Sequence, residues 1–444
     1  MLQRIGTGLL ASGLAVLLLK IVGLQAATVD KAQLLAWQDM PLFTLPKPDP
    51  TAEAIRNRYL QVWSSSGGQE GNQGVWMQSD LTVLAEHQGR IPLPAASLTK
   101  IATTLAALDT WGPHHQFETL VSATGPIKKG VLQGDLVITG NSDPLFIWEE
   151  AIALGNRLNQ LGIRQVTGNL VIVGNFHMNF TEDPAASGQL LKQALNSSTW
   201  SHTIVVSHGG MIPGTPKPQV KIGGEVKVAK IPLPKTILLL RHQSPSLAQI
   251  LREMNIYSHN ALSEMVGTSV GGAEVVAQIA AQLAGVPQAE IQLINTSGLG
   301  VENRISPHAA TAMLMAVERF LEPYQLNIAD VFPLAGYDHH GTMRTRKLPL
   351  GTAMKTGTLR EVSALAGVVP TRDRGLVWFA IINRGGNIWE FRRQQDQLLT
   401  ELSQKWGTLP VFELSKAQPP LVFGDPKRIQ SMTSNQLALG NFEF

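Results

Sequence analysis

Three short polar motifs have to meet at one point in this chain, although long stretches of other sequence separate them. They are Ser97-Leu98-Thr99-Lys100, Ser258-His259-Asn260 and Lys355-Thr356-Gly357, in that order. They read as SxxK, SxN and KTG, the set in which a serine nucleophile is served by a lysine rather than a histidine. Each motif alone is short enough to arise by chance, so the information lies in their joint order and local context. Ser97 and Ser258 are 161 residues apart. A fold that unites them must carry much of the intervening sequence as an inserted domain.

Composition bounds the rest. The 444 residues, 44% hydrophobic and 16% charged, describe a packed globular protein of two or three domains. A net charge of +3 without a long basic run argues against a nucleic-acid partner. The absence of cysteine excludes disulfides, thiolate metal sites and a cysteine nucleophile. At the N-terminus, Arg4 precedes an apolar run from Leu9 to Leu19, followed by Lys20, Ile21 to Leu24, and the small residues Ala26 and Ala27. Residues 1–27 therefore read as a signal peptide or as a retained anchor associated with the membrane. Either reading puts the bulk of the protein outside the cytoplasm, in the periplasm or cell envelope.

Residues 28–50 read as a linker, proline-rich at 41–50. A helix is expected over Ala52–Val62, a flexible loop over Ser64–Gly74, and two strands at Val75–Gln78 and Leu81–His87. Leu98, Ile101, Ala102, Leu105 and Leu108 recur at helical spacing, which sets Ser97 in the first turn of a buried helix. Helical periodicity returns at Leu247–Met254 and again from Ala261. Gly351–Gly357, Ala364–Val369 and Leu376–Ile382 read as an antiparallel meander, followed by an amphipathic helix over Trp389–Trp406. The segments 51–112 and 235–408 thus form one discontinuous catalytic domain. Residues 113–234, with short β-like runs and many glycines, read as a mainly β insertion, and 409–444 as a loosely packed tail.

The chemistry follows from residue types and spacing. An alcohol is a poor nucleophile without a base beside it. Residues i and i+3 share a helix face, so Ser97 and Lys100 can touch. Lys100 must be neutral to take the Ser97 proton, which requires burial or nearby positive charge, and Lys355 is a candidate source of that charge. Thr356, Gly357 and the N–H of Thr358 would lie on a strand beside the nucleophile, offering backbone donors to an oxyanion, with Gly357 leaving room for close approach. Ser258 would relay a proton to the leaving group, and Asn260 would hold Lys100 or a substrate amide.

Beyond the motifs, Leu240–Leu262, Asn295–Pro307 (NTSGLGVENRISP), Gly341–Arg346 (GTMRTR) and Lys355–Leu359 (KTGTL) resemble, in order, segments of the S13 peptidases. These are penicillin-binding, serine-type D-alanyl-D-alanine carboxypeptidases and endopeptidases. Leu132–Leu145 (LQGDLVITGNSDPL) resembles the start of that family's inserted domain. The likeness spans about residues 50–405, and the wide gap between SxxK and SxN is itself a family trait. The resemblance implies an α/β (α+β) fold: a β-lactamase/transpeptidase-like core with an antiparallel sheet flanked by helices, plus a β-rich inserted domain that is shorter here than in the largest members.

It also implies hydrolysis of peptidoglycan stem peptides through a Ser97 acyl-enzyme, with β-lactam antibiotics as acylating inhibitors and no cofactor or metal. His259 departs from the Asp or Asn usual in SxN, and Ser142 interrupts the glycine-rich turn before Asp143. Asp143 reads either as a substrate-binding carboxylate or as a turn aspartate before Pro144. Arg304 is a candidate partner for a substrate carboxylate. The pairs His114-His115 and His339-His340 lack zinc-site spacing and read as loop histidines. Two other readings share these residues: a β-lactamase or esterase on the same fold, and a non-catalytic peptidoglycan-binding protein.

Overall fold

The computed structural model describes residues 48–65, 70–409 and 421–431. The expectations for residues 1–27, most of 28–50, and parts of the 64–74 loop and of the C-terminal tail lie outside the described residues.

The meander is present as Ala353–Leu359, Val362–Thr371 and Gly375–Arg384, and the sheet continues through Gln73–Ser79 to Thr82–His87. All four pairings are antiparallel. Both faces of the central strands are covered, so they read as apolar runs rather than as alternating polar and apolar residues. The alternation reappears in what each side chain meets. Leu365, Val369, Val377, Phe379 and Ile381 pack under the helices Pro50–Ser65 and Ile388–Trp406, where Trp63 lies 4.4 Å from Phe391, ring centre to ring centre. Ala364, Ala366, Val368, Trp378, Ala380 and Ile382 point the other way. They share a core with the helices Thr99–Trp111, Leu247–Tyr257, Ala273–Ala284 and Pro307–Leu321, the last of which lies directly on the sheet. The small alanines on this face let those helices, and with them Ser97, approach the sheet closely.

The stretch between SxxK and SxN is built on a second, six-stranded sheet. Its order is Val226–Ala229, Leu170–Asn175, Leu136–Asn141, Glu118–Ala123, Ile237–Gln243 and Ile429–Ser431. The first two neighbouring pairs in this order are parallel. Parallel neighbours cannot be joined by a hairpin and need crossovers. The helix Trp148–Gln160 lies on the first crossover, and Pro184–Ala194 and His202–Gly210 lie on the second. The sequence reading of 113–234 did not place these three helices. It also stopped short of Ile237–Gln243, which belongs to this sheet.

The C-terminal segment differs from the loosely packed tail expected there. Residues 421–431 dock on the second sheet through the strand Ile429–Ser431 and the buried Ile429. Arg428 ion-pairs with the fully buried Glu150, which also accepts the Gly424 N–H at 2.8 Å and the Nε2–H of His242 at 2.9 Å. Burial alone would raise the Glu150 carboxyl, but these partners outweigh it and hold the group below its ordinary range. No helix among the described residues is long and apolar enough to cross a membrane.

Arg428→Ala leaves a buried carboxylate without its cation. The expected cost is about 3 kcal/mol of unfolding free energy, since removing one partner strands the other. Urea denaturation monitored by tryptophan fluorescence checks this, and a midpoint equal to the parent's would refute the anchoring role.

Candidate active site

The nucleophile turn is held in a backbone conformation that its own sequence does not favour. Ala96, immediately before Ser97, has φ of +48°, a region L-residues other than Gly and Asn seldom occupy. Two glycines let neighbouring segments close on this turn. A Cβ at Gly298 would lie 1.9 Å from the Ala96 carbonyl oxygen, and one at Gly357 would lie 2.9 Å from that of Ala95. The Ala95 N–H donates to the Asn303 carbonyl at 2.9 Å. Ser97 then sits in the single 3-10 turn Ala96–Leu98, which leads directly into the helix Thr99–Trp111.

One helical turn on, Lys100 is fully buried. Its Nζ lies 3.2 Å from Ser97 Oγ, 2.8 Å from Asn260 Oδ1 and 2.6 Å from the Ser297 carbonyl oxygen. A carbonyl oxygen can only accept, so Asn260 and Ser297 take two N–H bonds. A neutral amine has two hydrogens and one lone pair, and the third direction faces the Ser97 hydroxyl. Burial lowers Lys100 to about 7, while the Glu264 carboxylate pulls the other way.

The SxN motif is the junction of two helices. Ser258 ends Leu247–Tyr257 in the left-handed conformation, with φ of 52°. His259 then caps Asn260–Val270: its Nδ1 accepts the Leu262 N–H at 3.1 Å. An imidazole can do this only with Nδ1 unprotonated. Burial, and secondarily the charge on Lys100, lower His259 and favour that neutral form. The unusual middle letter of the motif therefore does the work that Asp or Asn does at an N-cap.

Lys355, on the edge strand Ala353–Leu359, is also fully buried. Its Nζ donates to Ser258 Oγ at 3.0 Å and to the Thr356 carbonyl at 2.8 Å. Burial first and Lys100 second push it well below its ordinary value. Burial is thus the first cause of the lowered Lys100, and the mutual repulsion of Lys100 and Lys355 acts in the same direction. Thr356 is buried, Gly357 packs against the nucleophile turn, and Thr358 is exposed, its Oγ1 accepting from Arg392 Nη2 at 2.8 Å.

Ser97, Lys100, Ser258, Asn260, Lys355, Thr356, Gly357 and Thr358 thus converge. Asp143 shares no hydrogen bond with them. It is buried, its Oδ1 accepts the Leu145 N–H at 2.9 Å, and burial raises it to about 6 against the opposing charge of His242. Arg304 lies on a short strand paired with Pro94, three residues before Ser97, and no hydrogen bond or ion pair holds its guanidinium among the described residues. His115, read as a loop histidine, packs edge-on against Phe117 and stacks on Trp111.

Glu264 and the loop Asn295–Gly298 complete the site and were not singled out by role from the sequence. Glu264 receives the backbone N–H groups of Thr296 and Ser297 at 3.1 and 3.0 Å and the Thr296 hydroxyl at 2.8 Å. These bonds outweigh burial and keep its carboxyl below the usual range. They also aim the Ser297 carbonyl at Lys100. The i, i+4 spacing of Asn260 and Glu264 was a usable signal; a backbone carbonyl such as that of Ser297 gives none.

The profile of the D-Ala-D-Ala carboxypeptidase 3 (S13) family matches residues 69–187 and 217–405. The chain belongs to this family. It is a serine-type D-alanyl-D-alanine carboxypeptidase, as the resemblance implied. Among curated relatives, a carboxypeptidase of Mycobacterium tuberculosis is 25% identical over 364 residues, covering 70% of this chain and 75% of the relative. The D-alanyl-D-alanine carboxypeptidase DacB of Haemophilus influenzae is 23% identical over 66% of this chain and 80% of its own length.

Two solved structures share the fold. A predatory endopeptidase from Bdellovibrio bacteriovorus, in complex with an immunity protein, has a TM-score of 0.66 at 20% identity, over 81% of this chain and 99% of that one. Penicillin binding protein 4 from H. influenzae has a TM-score of 0.56 at 18% identity, over 76% and 97%. The α/β core with an antiparallel sheet flanked by helices is thus the fold the resemblance implied.

With Lys100 as the base, its value of about 7 predicts where the acid limb of acylation falls in the free carboxypeptidase. Below that pH Lys100 is protonated and cannot accept the Ser97 proton, so the second-order acylation rate should fall about tenfold per pH unit. In Glu264→Gln the anion that favours the ammonium is gone, so the limb should move to lower pH. Stopped-flow acylation between pH 5 and 9 reads both, and a limb that moves upward would contradict the electrostatic role of Glu264.

Proposed function

We propose that Ser97 is the nucleophile that hydrolyses D-alanyl-D-alanine termini of peptidoglycan stem peptides, with Lys100 as its base. The observation that carries this reading is the approach of Lys100 Nζ to Ser97 Oγ, 3.2 Å, by a buried amine whose other neighbours are acceptors. Ser97 Oγ attacks the carbonyl of the penultimate D-alanine while its proton passes to Lys100. The oxyanion is received by the N–H groups of Ser97 and Thr358, the second on the exposed edge strand. Ser258 passes a proton to the departing amine, Lys355 being hydrogen-bonded behind it, and the proton that Lys100 took from Ser97 then replaces the one Ser258 gave up. The C–N bond breaks and terminal D-alanine leaves. Water then attacks the acyl-enzyme and restores Ser97.

The same chemistry accounts for β-lactam acylation, which retains the leaving amine in the opened ring. One of the solved structures with this fold is a penicillin G acylated predatory endopeptidase from Bdellovibrio bacteriovorus. Thr356 and Gly357, on the strand packed against the nucleophile turn, would lie beside the bound acyl group. Arg304, with its unpaired guanidinium, is suited to a carboxylate of the substrate, whereas Asp143 would act in substrate binding only through its surroundings.

We assign 51–112 and 235–408 to the catalytic unit and 113–234 to the insertion, with the strand Ile237–Gln243 going over to the insertion, whose apolar core includes Leu239 and Leu240. Action on stem peptides fits residence in the periplasm or cell envelope, with 1–27 as the export or anchoring segment.

Fluorescent penicillin should label the parent protein at Ser97, and labelling of Ser97→Ala should fall below detection. Release of D-alanine from a peptide ending in D-Ala-D-Ala should be lost in parallel. Equal labelling of the two proteins would sink the assignment.

A further inference from the structure

A residue of the inserted segment reaches the SxN motif. Phe180 stacks on the imidazole of His259, with ring centres 4.0 Å apart and planes tilted by 35°. Its backbone is held against preference. Asn179 and Phe180 have φ of 48° and 61°, and they form the middle of a tight turn closed by Met178 and Thr181. Asparagine tolerates such a position, but the second is one where glycine is expected and a bulky aromatic is an outlier. The surroundings impose it: Asn179 N donates to the Phe146 carbonyl at 3.0 Å, and Asn179 Oδ1 accepts from Trp148 N at 3.1 Å. Strain kept at such a place calls for a functional reason.

We infer that Phe180 is a positioning residue for the acylation step, acting through His259. The ring of His259 has one hydrogen-bonding task, to cap the helix Asn260–Val270 through Nδ1. That cap fixes the junction from which Ser258 and Asn260 project, and Asn260 Oδ1 in turn holds Lys100. An imidazole reaches the capping geometry by a ring orientation that short Asp and Asn side chains do not need, and Phe180 supplies the surface against which the ring is oriented. The insertion thereby takes part in the reaction without touching the reacting atoms.

The inference rests on the Ser97 reading. Its test is a double-mutant cycle in the full chain with Phe180→Gly, His259→Asn and the pair, plus Phe180→Tyr, each assayed below its own thermal midpoint. The readouts are the second-order rate of acylation by fluorescent penicillin, and kcat and KM for D-alanine release. Phe180→Gly, whose backbone accepts the positive φ, should lower acylation on the order of tenfold and kcat with it, with KM little changed. Phe180→Tyr keeps the stack and should restore the rate. In the His259→Asn background, where a short side chain caps unaided, Phe180→Gly should change the rate less than about twofold.

Equal rates for the parent and Phe180→Gly would overturn the inference. So would an undiminished loss in the His259→Asn background, because Phe180 would then act without His259. A parent protein that is not acylated at all would overturn the Ser97 reading, and this inference with it.

Discussion

Burying an amine away from any carboxylate costs free energy, and the site is organised around two such amines. Lys100 and Lys355 are both fully buried, and neither forms an ion pair among the described residues. Desolvation lowers both amines, Lys100 to about 7, which brings within reach the neutral form that a lysine base requires. The hydrogen-bond partners then decide what the amine does. Asn260 and the Ser297 carbonyl occupy the N–H groups of Lys100 and leave its lone pair for Ser97. Glu264 opposes the shift from the far side of the 295–298 loop and keeps it moderate.

Desolvation of that degree depends on close packing, and the glycines show how it is reached. The KTG strand and the 295–303 loop approach the nucleophile turn at Gly357 and Gly298, to distances no side chain would permit. The alanine-lined face of the main sheet seats the nucleophile helix just behind. Strain at Ala96 is sustained because these surroundings over-determine it. The inserted sheet has its own apolar core, to which the C-terminal strand is tied by the Glu150–His242–Arg428 cluster, and it meets the catalytic core through Phe117, Leu145 and Phe180.

Much of this was legible in the sequence, and the misses have physical causes. The nucleophile helix, the meander and the final helix carry clear periodicity, and their observed bounds, Thr99–Trp111, Ala353–Arg384 and Ile388–Trp406, lie near those read from the pattern. In the insertion, the short β-like runs announced strands, but parallel pairing, and so the need for crossover helices, is a non-local fact. The tail looked loose because its polar composition hides Arg428, whose partner Glu150 lies far back in the chain. His259 looked like a defect in SxN because its capping role appears only in the bond to Leu262.

The sequence by itself determined which side chains could do chemistry, their order, and the family they mark, because SxxK, SxN and KTG are local strings with fixed residue types. Only the tertiary structure decided their charge states and duties. It buried Lys100 and Lys355 beside each other, so that desolvation first and their repulsion second lower the pair. It turned Asn260 toward that lysine, left Asp143 within a buried cluster, and brought Phe180 over His259. These outcomes depend on solvent exclusion and on contacts between segments far apart in the chain, and neither is encoded in any single stretch of it.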